Sequence, residues 1–446
     1  MAVASVGYVL LTIEGVNLAP SIAVLGQDSH AAALLIGLVV CRHAGARCLR
    51  VAGATQFESS RHGALILIML PHRPLKIVHV TRAPVGGIIR HILDVASGQA
   101  ARGHHVGIVC DSLTGGQRAD AALAAIAPRL KLGIMRVAIP REPSPTDLPG
   151  FIRVSRHLAN LDADVLHGHG AKGGTFVRLM PAESAIRVYT PHGGSLHYGR
   201  HTLLGMIYGT IERVLLRRTE LFLFESAFAR NAFQAMVGTP RGTVRVVPNG
   251  INADEMTPVE PAADASDIVS VGEFRRIKGT DVLIDAIAEL HRSGRRPSLA
   301  IAGDGEEGEA LRDQVTRLGL TDSVRFLGHV PARQAFSFGR LLVVPSRADS
   351  LPYVVIEAGG AGIPTIASGV GGIPEIFGPD AELVPPENPS RLAQAITAAL
   401  DDPARVRADA QRLRERVRKL FSQDAMVEGV LAGYGAAISA KFMKSH

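Results

Sequence analysis

From Leu75 onward the sequence alternates short apolar runs with stretches of helical periodicity, and this alternation restricts the fold more than any other feature. LKIVHVT (75–81) reads as a buried strand, followed by a Gly-containing turn and a helix-periodic stretch over 89–100. Further strand candidates are HVGIVC (105–110), DVLHGH (164–169), IRVYTPH (186–192), LFLFES (221–226) and VRVVPNG (244–250). After a polar stretch near 253–266 the series restarts with DIVSVGEF (267–274), SLAIAGDG (298–305), VRFLG (324–328), LLVVPS (341–346) and PTIAS (364–368). Helical patterns over 280–291, 306–318 and 353–359 lie between these runs. Such a sequence builds parallel sheets covered on both faces. Two series predict two doubly wound α/β domains, 74–250 and 251–425, with a helical tail over 426–446.

In open parallel sheets, ligands bind beyond the carboxyl ends of the strands. The residues that fit neither strand nor helix patterning fall there: Gly86, Gly87, His169, His192, Asn249, Glu273, Asp304 and Asp349. Two such edges facing one another predict a ligand site in the cleft between domains.

Residues 1–73 show no such alternation. They read as an N-terminal extension, the functional chain being expected to begin near Met69. The longest apolar run, 31–41, has 11 residues, too short for a membrane-spanning helix, which needs about 20. Only three cysteines occur, Cys41, Cys48 and Cys110. They exclude a disulfide scaffold and a four-thiolate zinc site. With no Trp and 4% aromatic residues, stacking on single-stranded nucleic acid is not expected. The charge is uneven: 74–250 carries 21 basic and 11 acidic side chains, whereas 251–446 carries 22 and 27. A basic first half and an acidic second half imply different partners, an anionic membrane surface among those open to the first.

Several motifs sit at the predicted strand ends. Gly86-Gly87 allows backbone N–H groups to approach a phosphate at a helix N-terminus, although a tight turn would use the same residues. GEFRRIKG (272–279) places Arg275, Arg276 and Lys278 before a helix, suited to a diphosphate or to a solvated loop. Asp349 and Glu357 in DSLPYVVIE are eight positions apart. Glu357 on a helix can accept from vicinal hydroxyls, and the amides of Ser350, Leu351 and Tyr353 face a phosphate or sugar. GDGEEG (303–308) matches a dinucleotide fingerprint in letters, but its three carboxylates would repel a pyrophosphate, and helix capping by acidic residues explains it. His167 and His169 share a strand face; with no third ligand at matching spacing, a neutral imidazole bonded to a polar substrate is expected instead of a metal. The stretch 196–218 combines apolar residues with four arginines, as a bilayer-surface helix or a core-packed helix with a basic face would.

In this order, VGGIIRH, DVLHGHG, TPHGG, FES, VPNG, VGEFRRIKGTDVLI, IAGDG, VRFLG, VPSRADSLPYVVIEA and ASGVGGIPEI, the motifs resemble the retaining glycosyltransferases of family 4. The resemblance runs from about Leu75 past Pro385. It implies a GT-B fold, two Rossmann-like domains facing across a cleft, with the first domain holding the acceptor and the second a nucleotide-sugar donor. It further implies transfer of a sugar to an acceptor hydroxyl with retention, without metal or other cofactor. By resemblance Lys278 is a phosphate ligand, Glu357 holds the ribose, Asp349 lies by the donor sugar, and His192 bonds that sugar near the reacting centre. Gly86 and Gly87 leave room for the diphosphate. Related proteins commonly build exopolysaccharide or lipopolysaccharide on sugar or lipid-linked glycan acceptors, which implies a cytoplasmic protein peripheral at the inner membrane face, with no nucleic-acid partner.

The pattern is departed from in three places. Asp349 stands where Glu is usual, Glu273 replaces an Arg so that phosphate binding shifts toward Arg275, and Pro352 replaces a Gly. A nucleotide-sugar-binding protein without turnover, a GT-B epimerase or phosphorylase, and an NAD-dependent enzyme are the alternative readings.

Overall fold

The computed structural model describes residues 73–444, apart from 142–144, 146, 182–183 and 194–202. The predicted extension, 1–73, thus lies outside the described residues up to its last position. The first sheet contains β1 (Lys76–Thr81), β2 (His105–Asp111), β3 (Gly133–Val137), β4 (Val165–His169), β5 (Ile186–Thr190), β6 (Leu221–Phe224) and β7 (Thr243–Val246). Their spatial order is β3-β2-β1-β4-β5-β6-β7, and each neighbouring pair is parallel. The second contains β8 (Ser266–Val271), β9 (Leu299–Ala302), β10 (Val324–Gly328), β11 (Gly339–Val344) and β12 (Thr365–Ala367), in the parallel order β10-β9-β8-β11-β12. The order reverses between β1 and β4 in one sheet and between β8 and β11 in the other. The crevices that open at these two points are where such sheets take ligands.

One strand has no counterpart in the sequence reading. β3 is an edge strand, half-buried over four of its five residues, so GIMRV lacks the continuous apolar run that marks the strands inside the sheet.

The expected tail is a core element. The helix Pro403–Leu420 packs Leu413 and Val417 into the second domain, and the chain then returns to the first. At the crossing, Ile251 N–H donates to the Phe421 carbonyl at 2.9 Å and Gln423 N–H to the Ile251 carbonyl at 2.8 Å. The helix Gln423–Lys444 then buries Met426, Val427, Val430, Leu431 and Tyr434 against Ile77, Val165, Val188 and Leu221. Each fully buried apolar side chain contributes about 1.5–3 kcal/mol, so this helix holds the first domain together rather than trailing from the second. Its apolar residues at i, i+1, i+4, i+5 and i+8 carry that information.

The face of the first sheet beneath this helix changes character along its strands. Ile77, Val165 and Val188, near the strand starts, are apolar, while His79, His167, His169 and Thr190 follow on the same face toward the carboxyl ends. His79 is in register with His167, and His169 with Thr190. The alternation of strand residues therefore gathers imidazoles from β1 and β4 beside one another.

Candidate active site

The first rim of the cleft is formed by the ends of β1, β4 and β5. After β1 the helix Gly86–Ala101 starts at Gly86, whose φ of +62° is a left-handed value open to glycine at no steric cost. A Cβ at Gly86 would meet nothing within 4 Å, and one at Gly87 would stand 3.7 Å from the Tyr353 ring. After β5, His192 is itself left-handed, at φ +50°. That conformation costs a side-chain-bearing residue roughly 1–2 kcal/mol, and such strain collects at functional positions.

His192 Nε2 lies 3.0 Å from His169 Nδ1, and His169 Nε2 lies 2.9 Å from His79 Nδ1. His91, on the 86–101 helix, bonds through Nδ1 to Asn249 Oδ1 at 3.0 Å, and Asn249 Nδ2 donates to the Leu351 carbonyl at 2.9 Å. Burial pushes His79 and His91 down to about 4 and holds His167, His169 and His192 well below the ordinary imidazole value. All five are neutral at pH 7. The absence of a third ligand in the sequence reading is corrected by the fold: His79 joins His167 and His169, and His91 joins His169 and His192, each group bringing ring nitrogens within 4.8 Å of one another. The third member comes from a different strand or helix, so spacing along the chain did not reveal it.

The second rim is charged. Lys278, in a single 3-10 turn after β8, bonds both carboxylate oxygens of Asp349 at 2.8 and 3.0 Å, and Ser346 Oγ donates to the same carboxylate at 2.8 Å. The loop carrying Asp349 is held from behind by Gly372 N–H, which donates to the Asp349 carbonyl at 3.1 Å. Gly371 is obligatory there, since a Cβ would fall 1.5 Å from that carbonyl oxygen. The helix Tyr353–Ala361 follows Pro352 with no side-chain cap, and Val355 N–H donates to the Pro352 carbonyl at 3.3 Å, which leaves the amides of Tyr353 and Val354 to a ligand. Leu351 and Tyr353 are buried, and Glu357 is buried on that helix. Arg275 stands apart, half-buried and 3.7 Å from Glu273.

The rims meet through Arg90, which the sequence reading passed over. Its guanidinium bonds Glu357 and Glu255, both from the second half of the chain, and lies 4.5 Å over the Tyr353 ring. Glu375 makes a second link. Its carboxylate accepts from Ala227 N–H at 2.9 Å and Phe228 N–H at 2.8 Å, capping the helix Ala227–Met236 from the other domain.

The capping explanation of GDGEEG is also corrected. Glu307 precedes the helix Gly308–Arg317 without a side-chain cap. The glycines are instead demanded by packing: a Cβ on Gly303 would fall 1.9 Å from the Gly272 carbonyl oxygen, and one on Gly305 within 2.7 Å of that of Phe274.

Residues 85–255 match the family model "Glycosyltransferase Family 4", and 265–402 match "Glycosyl transferases group 1". The chain belongs to glycosyltransferase family 4. The two matches divide beside the crossing at Ile251, where the first domain of this family 4 glycosyltransferase gives way to the second. It is 25% identical to the glycogen synthase of Mycobacterium tuberculosis over 391 residues, covering 79% of this chain and 92% of that protein. Among solved structures, sucrose-phosphate synthase from Thermosynechococcus elongatus superposes with a TM-score of 0.69 at 23% identity, covering 82% of this chain and all of that one. Anabaena HepE in complex with UDP gives 0.65 at 19%, covering 80% and 98%. These likenesses establish the GT-B fold.

Proposed function

We propose that this glycosyltransferase moves a sugar from a UDP- or GDP-sugar to an acceptor hydroxyl with retention at the anomeric carbon, needing no metal. The observation that carries the reading is the Lys278–Asp349 pair beyond the ends of β8 and β11, where the second sheet reverses its order. Lys278 supplies a fixed cation to the departing diphosphate, the kind of preorganised charge that lowers such a barrier. Open amides at the start of the 353–361 helix add to it. Asp349 orients the donor sugar, Glu357 the ribose once Arg90 releases it, and His192 a sugar hydroxyl near the reacting centre. In a front-face reaction the leaving phosphate takes the acceptor's proton.

The acceptor in this reading is a sugar or lipid-linked glycan of exopolysaccharide or lipopolysaccharide synthesis, met at the cytoplasmic membrane face. Within the described residues no helix is long and apolar enough to cross a membrane. Part of the basic stretch 196–218 lies outside the described residues. The helix Leu203–Leu215 and the turn after it expose Met206 and Val214 beside Arg213, Arg217 and Arg218, while Glu212 is anchored inward on Arg178 at 2.8 Å. An outward face of that composition suits anionic lipid. Binding to anionic vesicles that survives about 0.5 M salt unchanged rules out this electrostatic docking.

Thermal stabilisation of the full chain by UDP, GDP, ADP and NAD tests the donor site, beside an Asp349→Ala/Glu357→Ala control. A ligand at 100 times its Kd adds about 2.7 kcal/mol. Stabilisation by one nucleoside diphosphate, lost in the double variant, supports the assignment and names the base. A response to NAD alone, or to none, removes it.

A further inference from the structure

The imidazoles beneath His192 form a connected and directional run, longer than one hydrogen bond to a sugar requires. The Gln99 amide, fully buried on the 86–101 helix, turns its oxygen to His79 Nε2 at 2.9 Å and its nitrogen to the Tyr434 hydroxyl at 3.4 Å. An amide oxygen only accepts, so the proton of the first bond belongs to His79 Nε2. A neutral imidazole carries one N–H; His79 Nδ1 is therefore bare and accepts from His169 Nε2–H. His169 Nδ1 is then bare in turn and accepts from His192 Nε2–H. On the other branch the Tyr434 hydroxyl takes the amide proton and donates its own to His167 Nδ1 at 2.8 Å. His167 Nε2–H donates to Thr190 Oγ1 at 2.8 Å. Both ring nitrogens of His79, His167 and His169 are used.

We propose that Gln99, acting through His79 and His169, is a positioning residue that locks His192 in its Nε2–H tautomer, so that Nδ1 meets the substrate solely as an acceptor from a sugar hydroxyl. The proposal rests on the reading of His192 as a donor-sugar contact. The amide's donor and acceptor ends cannot trade roles by moving a proton, as those of an imidazole or a hydroxyl can, so it sets the direction for the rest. Reversing it would reverse every proton in both branches and turn Nδ1 of His192 into a donor.

The test is the tautomer itself. Long-range proton–nitrogen correlation spectra of the full chain labelled with 15N-histidine separate protonated from bare ring nitrogens, and the His192 signals are those lost in His192→Asn. No donor or acceptor is needed, so failure of this proposal is distinct from failure of the transferase reading, which the nucleotide stabilisation assay decides. Wild-type His192 is expected as Nε2–H. Gln99→Met should give a mixture of both tautomers, whereas Tyr434→Phe, which cuts only the other branch, should leave His192 unchanged. Gln99→Glu keeps an oxygen toward His79 and so should preserve the His192 tautomer. It also accepts from Tyr434, which should move the proton of His167 from Nε2 to Nδ1. This second signature stands even where Gln99→Met does not fold. A wild-type Nδ1–H form of His192, or a Gln99→Glu chain in which His167 is unmoved, overturns the proposal. So does a concerted shift of His79, His167 and His169 on adding stoichiometric Zn2+, which would make the group a metal site.

Discussion

The two rims of the cleft use opposite chemistry. On the first, five neutral imidazoles and two amides are joined by hydrogen bonds, with Arg90 the charge that reaches across. On the second, Lys278 faces Asp349, and Glu357 sits beside Glu255. The composition of the halves points the other way, since the first carries the net positive charge and the second the net negative. Net charge describes the surface of a domain, and the site is built from residues taken out of that surface. Where burial is deep, a neutral ring with both nitrogens bonded costs far less than a charge. Where a ligand must bring its own charge, a paired cation can be kept ready for it.

The largest effect that separates the rims is their response to acid. A histidine held below its unfolded value of about 6.5 binds fewer protons folded than unfolded through that range. Its stabilising share is complete above pH 6.5 and is lost as the pH falls toward the folded value, about 4 for His79 and His91. Two carboxyls, one half-buried and one buried, act in the opposite sense. Burial pushes Asp94 and Glu225 up to about 6, so they bind protons earlier in the folded state and partly offset the loss. Five rings outweigh two carboxyls, and stability should fall by on the order of several kcal/mol between pH 7.5 and pH 4.5. Urea unfolding at both values measures this; a flat or rising stability toward acid would mean the cluster carries charge at neutral pH.

How much of this was legible in the chain follows from the range of each interaction. All eleven strands expected from apolar runs lie where periodicity places them, and so do Lys278, Asp349 and Glu357, because a strand end or helix start fixes each within a few residues. His167-Gly-His169 showed a shared face. Its partners did not: His79 comes from β1, Gln99 from the next helix and Tyr434 from the last, joined only by the sheet register and the return of the chain at Ser422. Arg90 looked like any helical arginine, since Glu255 and Glu357 become its neighbours only when the domains meet. β3 and the packing of 423–444 were missed for the opposite reasons, an edge strand with too few apolar residues and a helix with apolar residues whose partner sheet lies far upstream in the chain.

The second rim is sharpened by Lys278→Ala. With a nucleotide-sugar named by the stabilisation assay, turnover should drop by about 10²–10³-fold, the loss found when one preorganised donor to developing charge is removed. Asp349→Asn should cost less, because it keeps the shape and one hydrogen-bond acceptor. The double variant should fall short of the two losses combined, since the side chains are direct partners. Turnover of Lys278→Ala equal to wild type would leave the pair a structural ion pair and move the diphosphate site elsewhere.

The smallest effect concerns Arg90, where the contrast between rims is most exposed to failure. Its guanidinium holds the carboxylate that ribose would use and stacks over Tyr353, a contact that contributes about 0.5–2 kcal/mol. A nucleoside that takes Glu357 must first displace it. Arg90→Met removes the competitor and should tighten nucleoside diphosphate binding by several-fold, a gain of about 1 kcal/mol. The melting temperature should fall at the same time, because Glu357 and Glu255 are left close together without a cation. Arg90→Lys keeps the charge but not the planar fork that reaches two carboxylates, and should lie between. The alternative is that Arg90 swings from Glu357 onto the phosphates when donor arrives. Arg90→Met would then weaken binding tenfold or more, and isothermal titration with UDP and GDP distinguishes the two by sign. A loss of that size would give the first rim a cation of its own for the diphosphate, and the division into a neutral and a charged side would no longer hold.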